Sequence, residues 1–471
     1  MSGPQLRVPG QARPSAPRKA PDQRARELVG DLFPESASAP ARLPGLPRWA
    51  FLLVQLAALA LGTVMLLARI SGVPAWHLIY AEDLGIYLPG ALAHPWHLLA
   101  AYAGYLQLVP RLIAQLVSLL PLRDAAVGFA VGGAIVASAC GLFAYHASAG
   151  HVSSRWLRAL IGLSVVLLPV AQLEIADNGV NTLWYLLVAL FWAILWRPPT
   201  RAGVWAAGIV AFFAAASTSL ALVFAPLLAA RALVLPRRIR EHGVTAGWAA
   251  GSLLQVLVIL TSHLSRTTTG KLANVAPYLT HYVILPALGW HLSWDLRDAI
   301  GVHDATLLMG GILAVILCLI LITQATRCRV FVVTAVGTGL VFLVIGAGFA
   351  WGGPDQLLTV AVEHGARYST VPILMLDAAL IVAADACARR WWPRPQAVAA
   401  VAALVAILAV GWVWDYRYPV TRAHGTAWSV TAQTWLRQCQ RSPAGSITVT
   451  FPDYWSRAPL ATTFSCASLR R

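Results

Sequence analysis

The 471-residue chain is strongly apolar and basic: 58% of its residues are hydrophobic, 11% are charged, and its formal net charge is +16. A mean hydropathy of +0.67 excludes a water-soluble globular protein. Continuous apolar blocks of roughly 17–23 residues predict membrane-spanning helices, since a β-barrel would show alternating segments of about 10 residues.

The first 48 residues are polar and rich in Pro, Arg, Ala and Ser, with no short apolar core typical of a cleavable signal peptide. This composition predicts a disordered cytoplasmic tail that helps to orient the first span. Nucleic-acid binding by this basic segment is not expected.

Residues 49–414 predict an all-α polytopic membrane domain of about eleven transmembrane helices. Clusters of Arg then fall in alternate connections, which predicts a cytoplasmic amino terminus. Residues 202–236 are interpreted as two short spans meeting at Ser217–Ser219, because a single span would break the Arg pattern. The spans are predicted near residues 50–68, 125–147, 157–172, 180–196, 203–216, 218–234, 245–262, 305–323, 330–350, 369–386 and 396–414.

A large first outer loop is predicted over residues 69–124, which is longer than a simple connection. Within it, residues 102–121 resemble an apolar helix with one polar stripe, because Gln107, Arg111 and Gln115 recur at a spacing of four. A helix of this kind is expected to lie in the membrane interface, with its cation directed toward the headgroups.

Acidic residues between positions 69 and 414 fall mostly on the predicted outer connections. The orientation rule does not require this distribution, so it indicates a site on the outer face. A simpler explanation is that longer outer loops collect more charges. The outer acidic residues are Glu82, Asp83, Asp124, Glu174, Asp177, Asp295, Asp298, Asp304, Asp355 and Glu363.

The arrangement resembles the GT-C superfamily of integral-membrane glycosyltransferases. "AEDLGIY" stands soon after the first span, where that family carries its acidic motif, and "YAGYLQLVPRLIAQLVSLLPLRDAAVGFAVGGAIVASACGLFAYHA" is similar to its interfacial helices and second span. The resemblance implies a GT-C-like fold and transfer of a sugar from a polyprenyl-phosphate donor to an extracytoplasmic glycan, lipid or protein acceptor.

A carboxylate at headgroup depth could act as the base that takes the proton of an acceptor hydroxyl. Direct displacement of the phosphate would then invert the anomeric configuration. By resemblance the last acid of such a pair is often the base, which favours Asp83, with Glu82 as the alternative. A structural cap or loop charge is a third reading.

The departing polyprenyl phosphate calls for cations on the same face. "EHGARYSTVP" supplies Arg367 beside His364 and Tyr368, just before the tenth predicted span. Lys271 and Arg111 are weaker candidates for the same role. The competing interpretation of Arg367 and Tyr368 is that they are interfacial anchors at a helix end.

Four polar residues gather in "LEIADNGVNTLWY" before the fourth predicted span: Glu174, Asp177, Asn178 and Asn181. Carboxylate and amide groups suit hydrogen bonds to sugar or acceptor hydroxyls. Capping of the fourth span is the alternative explanation.

No metal site is predicted from spacing. His94 and His97 near the acidic pair are separated by Pro and Trp, which is typical of an interfacial aromatic belt. Some enzymes that the chain resembles use a divalent ion, so the cofactor stays open.

Two rival functions belong to other classes. A transporter or lipid flippase would need internal repeats and buried charges near the midplane, and Asp377 in the tenth predicted span is the one such charge identified. A non-catalytic membrane scaffold is the second rival.

Residues 415–471 predict a small mixed module outside the plasma membrane, in which "SITVTF" alternates like a strand. Of six cysteines, only Cys439 and Cys466 fall outside in the predicted topology, so they alone can share an oxidising compartment. We therefore predict that they form a disulfide.

Overall fold

The structure is a computed structural model, and it describes residues 21–35, 47–236, 239–262, 271–350, 365–391, 393–417, 424–450 and 461–470. Within these ranges the chain is mainly helical. The α-helices are α1 (Pro21–Gly30), α2 (Arg48–Leu67), α3 (Leu88–Ala93), α4 (Leu108–Val117), α5 (Ala125–Ala147), α6 (Arg155–Leu167), α7 (Ala171–Glu174), α8 (Thr182–Leu195), α9 (Arg201–Ser217), α10 (Ala225–Val234), α11 (Gly243–Thr261), α12 (Val275–Leu279), α13 (Trp290–Ile300), α14 (Val302–Thr323), α15 (Thr326–Ile345), α16 (Thr370–Trp391), α17 (Pro395–Trp414) and α18 (Trp428–Arg441).

Two short antiparallel hairpins accompany the helices. Strand β1 (Ala101–Tyr102) pairs with β2 (Tyr105–Leu106), and β3 (Ser446–Thr450) pairs with β4 (Ala461–Ser465). Wider π-helical turns, with i→i+5 hydrogen bonding, are also present at Asp83–Tyr87, Thr280–Ile284 and Gly346–Ala350.

Seven helices of the described chain are long and apolar enough to cross a membrane, so the chain is a multi-pass, α-helical membrane protein. Four further predicted spans fall on shorter helices, α6, α8, α9 and α10. The eleven-span topology therefore remains a prediction. The seven helices lie at Trp49–Leu67, Leu122–Gly150, Gly243–Thr261, Val302–Thr323, Thr326–Ala350, Ala366–Trp391 and Pro395–Trp414.

Helix α8 forms the centre of the bundle. All fourteen of its residues are buried, because its sequence is apolar on every face and neighbouring helices surround it. Its Trp192 ring lies 5.5 Å from that of Phe331 on α15. The amino-terminal end of this buried helix carries Asn181 and Trp184 toward the candidate site described below.

The helical break predicted at Ser217–Ser219 is present. Helix α9 ends at Ser217, Thr218 is extended with φ −157° and ψ 137°, and its hydroxyl accepts a hydrogen bond from the Leu220 amide at 3.2 Å. A 3₁₀ turn over Ser219–Phe224 then leads into α10. The Ser217 and Thr218 side chains at the break are buried, and the Ser217 hydroxyl accepts a hydrogen bond from the Val109 amide at 3.1 Å.

The expectation of a disordered tail does not hold for residues 21–35. They form α1 and a following turn whose Leu32 and Phe33 side chains are buried in the main core. Their burial is favourable because both are large apolar groups. The Arg231 guanidinium lies 5.8 Å from the centre of the Phe33 ring, which further ties this segment to α10.

The polar stripe predicted to face the headgroups faces the protein instead. Residues 101–106 form the β1–β2 hairpin, and only Leu108–Val117 is helical. The Gln107, Arg111 and Gln115 side chains are buried, and the outward face carries exposed Leu116. The polar side chains of the stripe hydrogen-bond to other protein groups, and not to lipid headgroups as predicted.

The carboxy-terminal module packs helix α18 against the β3–β4 hairpin. Cys439 on α18 and Cys466 after β4 are joined by a disulfide, with their Cα atoms 5.2 Å apart. The predicted strand over "SITVT" is present as β3. Trp428 donates a hydrogen bond from Nε1 to the Leu122 carbonyl at 2.7 Å, which fastens the module to the first loop.

Replacing both bridged cysteines by Ser should lower the free energy of unfolding of this module by about 3 kcal/mol, because the 27-residue separation is no longer closed in the unfolded chain. The temperature at which α18 becomes cleavable by a protease measures the change. Cys318→Ser, at an exposed free cysteine, is the matched control. An equal cleavage temperature in both variants would contradict the prediction.

Candidate functional site

A cavity of about 290 Å³ opens between the first loop, the start of α8, the α9–α10 break and the adjoining ends of α15 and α16. Among the described residues that line it, Glu82 and Arg367 are the charged ones. Polar and aromatic groups from the hairpin and α8 form one wall. Phe342, Ile345 and Phe349 form a second wall, which is apolar.

Asp83 lies behind this cavity and holds a loop in place. Its carboxylate is 1% exposed and accepts hydrogen bonds from the amides of Gly179, at 2.8 Å, and Val180, at 3.0 Å. A Cβ at Gly179 would stand 3.1 Å from Oδ1 of Asp83, so a side chain there would crowd the carboxylate. The interaction fixes the turn between α7 and α8 against the first loop.

Glu82, unlike Asp83, is among the residues that line the cavity. Glu82 immediately precedes the π-helical turn that begins at Asp83. Its side chain is half-buried and lines the cavity. Sequence alone favoured Asp83 as the base. The geometry instead makes Glu82 the carboxylate that can reach a molecule in the cavity.

The four polar residues of the 174–181 loop divide into one cavity-lining group and three internal ones. Asn181 lines the cavity and donates through Nδ2 to the Glu174 carbonyl at 3.0 Å. Asn178 is buried and bonds the carbonyls of Glu174 and Ala176. Asp177 is also buried and has a φ of 59°, a left-handed conformation that Asp tolerates better than most residues. Of the four residues predicted to contact a substrate, Asn181 alone is among the described residues that line the cavity.

Glycine at position 133 on α5 lets this loop approach closely. A Cβ there would lie 2.4 Å from the backbone oxygen of Asn178, a distance that no side chain could occupy. Only a residue without a side chain permits this contact between helix and loop.

Arg367, which lines the cavity, forms an ion pair with Glu174, which does not. Oε1 of Glu174 accepts from Nη1 of Arg367 at 2.6 Å, and Oε2 accepts from the Arg367 amide at 3.1 Å. The Glu174 side chain is 2% exposed and that of Arg367 is 27% exposed. The cation therefore stands on the cavity side of the pair and the anion on the inner side.

Burial raises the pKa of Glu174, because a buried carboxylate loses its hydration, while Arg367 and hydrogen bonds from Gly365 and Tyr80 act in the other direction. Loss of Arg367 would leave this buried carboxylate without its main counter-charge.

Arg367 is further oriented by aromatic neighbours. Its Nη2 donates to the Tyr368 hydroxyl at 3.3 Å, and its guanidinium carbon lies 5.1 Å from the centre of that ring. Tyr368 meets Trp184 edge to face, with ring centres 5.5 Å apart. All three side chains line the cavity. The guanidinium is thus held in one orientation at the cavity wall.

The β1–β2 hairpin is a cavity element that sequence reasoning missed. Ala103 and Gly104, at φ 51° and 82°, form its turn and bring Tyr102 and Tyr105 to the cavity. Gln107, just after it, also lines the cavity and accepts a hydrogen bond from the buried Tyr87 hydroxyl. The sequence signal was the Ala-Gly pair between two tyrosines, which suits a two-residue turn.

Two of the weaker phosphate candidates do not line the cavity. Lys271 is exposed and is not among the lining residues, and Arg111 is buried near Tyr87, with Nη2 donating to the Ala101 carbonyl at 3.3 Å. His364 lies outside the described residues. Arg367 and Tyr368 are therefore the predicted phosphate-site residues that the structure brings together with Glu82.

Among the described residues, no group of three or more His, Cys, Asp or Glu side chains is placed to hold a metal ion. Comparison with protein-family models, with curated proteins and with solved structures finds no match to this chain. The helices define the class, a multi-pass α-helical membrane protein.

Asp83→Asn should reduce the free energy of unfolding by about 1–3 kcal/mol. The Asn oxygen can accept from one of the two loop N–H groups, but the Asn NH2 group would then face the second N–H group, donor against donor. Thermal unfolding in detergent measures the loss. Glu82→Gln is the neighbouring control, with the same chemical change at a cavity-lining position. Equal stability of the two variants would contradict a positioning role for Asp83.

Proposed function

We propose that the protein is a membrane glycosyltransferase of GT-C type, which transfers a sugar from a polyprenyl-phosphate donor to an acceptor hydroxyl. One observation carries the proposal: Glu82 and Arg367 line the same cavity, between a polar, aromatic wall and an apolar wall. A carboxylate base and a phosphate-binding cation are the two charges that such a transfer requires.

Glu82 is the proposed base. It would accept the proton of the acceptor hydroxyl as that oxygen attacks the anomeric carbon, and the bond from this carbon to the phosphate oxygen would break. The product would have the inverted anomeric configuration. Asp83 would be a positioning residue, because its hydrogen bonds to Gly179 and Val180 hold the segment from which Glu82 projects.

Arg367 is the proposed phosphate ligand. Glu174 engages Nη1 and the backbone amide, so the guanidinium is fixed before any donor arrives. The 27% exposure of Arg367 against 2% for Glu174 directs positive charge toward the cavity. An anchored Arg in a partly dehydrated wall is suited to the negative charge that grows on the departing phosphate.

The remaining walls suit the two ends of such a donor. Trp184, Tyr102 and Asn181 provide aromatic faces and an amide for a sugar. Phe349, 51% exposed in the π-helical turn that follows α15, lies on the apolar wall and could receive the first isoprene units of the carrier.

The proposal includes an orientation. The cavity would open to the outer face of the plasma membrane, with the amino terminus cytoplasmic and the carboxy-terminal module outside. The acceptor would be an extracytoplasmic glycan, lipid or protein.

Glu82→Gln should lower the transfer rate by roughly 10²–10⁴-fold, because an amide cannot take the acceptor proton. Release of polyprenyl phosphate by the purified, full-length chain measures the rate against a panel of polyprenyl-phosphate sugars. Asp124→Asn, the same chemical change at an exposed carboxylate, is the control and should retain full rate. Full activity of Glu82→Gln would remove Glu82 from the role of base.

Arg367→Lys should lower kcat/KM for the donor by roughly tenfold or more, since Lys keeps the charge beside Glu174 but lacks the planar fork that binds two phosphate oxygens. The KM for the acceptor should stay unchanged. Initial rates at varied donor and acceptor concentrations separate the two effects. Arg123→Lys, at a side chain 65% exposed, is the control. An unaltered donor kcat/KM would restore Arg367 to an anchoring role.

A further inference from the structure

A second cavity, of about 390 Å³, lies at the opposite end of the bundle. Arg367 precedes α16, whereas Arg389 and Arg390 stand in its last turn, and at 1.5 Å per residue this 22-residue helix is about 33 Å long. The two cavities are therefore separated by about the thickness of a membrane. The second cavity has no part in the proposed transfer.

Three arginines line this second cavity: Arg327 at the start of α15, and Arg389 and Arg390 at the end of α16. Each is anchored through part of its guanidinium. Arg327 donates to the Gly150 carbonyl, Arg390 donates to the Thr323 carbonyl at 2.7 Å, and Arg389 pairs with Asp385 at 3.0 Å. A guanidinium carries five N–H donors, so each has further donors beyond these bonds.

Two carboxylates balance part of this charge. Asp385 is 1% exposed and also accepts from the amides of Ser153 and Ser154 at 3.0 and 2.9 Å, so it serves the adjoining loop as well as Arg389. Asp31 lies near enough to Arg327 to interact electrostatically. Among the described residues named here, three cations against two carboxylates leave one net positive charge.

A buried histidine supplies the second observation. His151 is 4% exposed and lines the cavity, and within the described part of the chain its Nε2 has no hydrogen-bond partner. Its ring also hydrogen-bonds the backbone of Leu32, and burial lowers its pKa to about 3, so the ring is neutral at pH 7. In a neutral ring that donates from one nitrogen, the other is an acceptor.

The surroundings favour a lipid over a small free anion. Leu321 and Ile322, just before the cavity-lining Gln324, are 38% and 72% exposed, and Val382 and Ala386 are part of the lining. Apolar surface thus continues from the cavity along the helices, where acyl chains would lie. Basic pockets between helix ends at this depth suit lipid headgroups.

We propose that the cavity lined by His151, Arg327, Arg389 and Arg390 binds an anionic phospholipid whose headgroup carries a hydroxyl. The arginines would donate to the phosphate oxygens, and Nε2 of His151 would accept from the headgroup hydroxyl. A bound lipid would link the ends of α14, α15 and α16 to the segment after α1.

The test is saturable thermal stabilisation of the full-length protein in a neutral detergent. Dioctanoyl-phosphatidylglycerol should raise the unfolding temperature with a measurable apparent Kd. Dioctanoyl-phosphatidylcholine, which has no net charge, and inorganic phosphate should not. Stabilisation by phosphate equal to that by phosphatidylglycerol would assign the cavity to a free anion, and no saturable effect of phosphatidylglycerol would overturn the proposal.

Two variants separate the parts of the site. Arg390→Gln should weaken phosphatidylglycerol binding roughly tenfold through the loss of a charge-assisted contact. His151→Phe keeps an aromatic ring beside Phe331, 4.6 Å away, and should weaken binding severalfold by removing the acceptor. Arg329→Gln, at an exposed Arg close by that does not line the cavity, should bind as the wild type does. An equal loss in Arg329→Gln would reduce the effect to general surface charge and overturn the site.

Discussion

The pair of hydrogen bonds from the Gly179 and Val180 amides to Asp83 is the contact on which the candidate site depends. It joins two segments almost 100 residues apart in the chain. Both carboxylate oxygens of Asp83 are engaged in these bonds, and Glu82, the residue before it, lies at the cavity wall. The same loop carries Glu174, which fixes Arg367 from the other side. One buried turn therefore sets the position of both charged groups in the cavity.

Buried polar groups are costly in a membrane protein unless they are paired. Here the pairing also fixes the orientation of the side chains at the cavity. Asn178, Asn181 and Glu174 are all buried, and their hydrogen bonds close the turn on itself and onto its neighbours. The cation of the ion pair faces the cavity because its partner is the more deeply buried group. A site built in this way is ready before substrate arrives, which is the condition for electrostatic stabilisation of a developing charge.

Much of the fold could be predicted from the sequence, because apolar length and helix-breaking residues act locally. The break at Ser217–Ser219 and the strand at Ser446–Thr450 both lie where the pattern indicated. The different placement of Glu82, at the cavity, and Asp83, behind it, could not be predicted, since Asp83 is held by amides of a distant loop. The burial of Gln107 and Arg111 could not be predicted either. A polar stripe on a helix does not show whether lipid headgroups or other protein groups will pair with it.

The most direct test of the account is to reconstitute the wild-type chain in lipid vesicles with radiolabelled polyprenyl-phosphate sugars and follow the bond between sugar and phosphate. We expect at least one donor to lose its sugar to an added acceptor, with release of polyprenyl phosphate and an inverted anomeric centre in the product. Retention of every donor intact by well-folded protein, or movement of intact donor across the bilayer without cleavage, would contradict the account and favour a scaffold or a flippase.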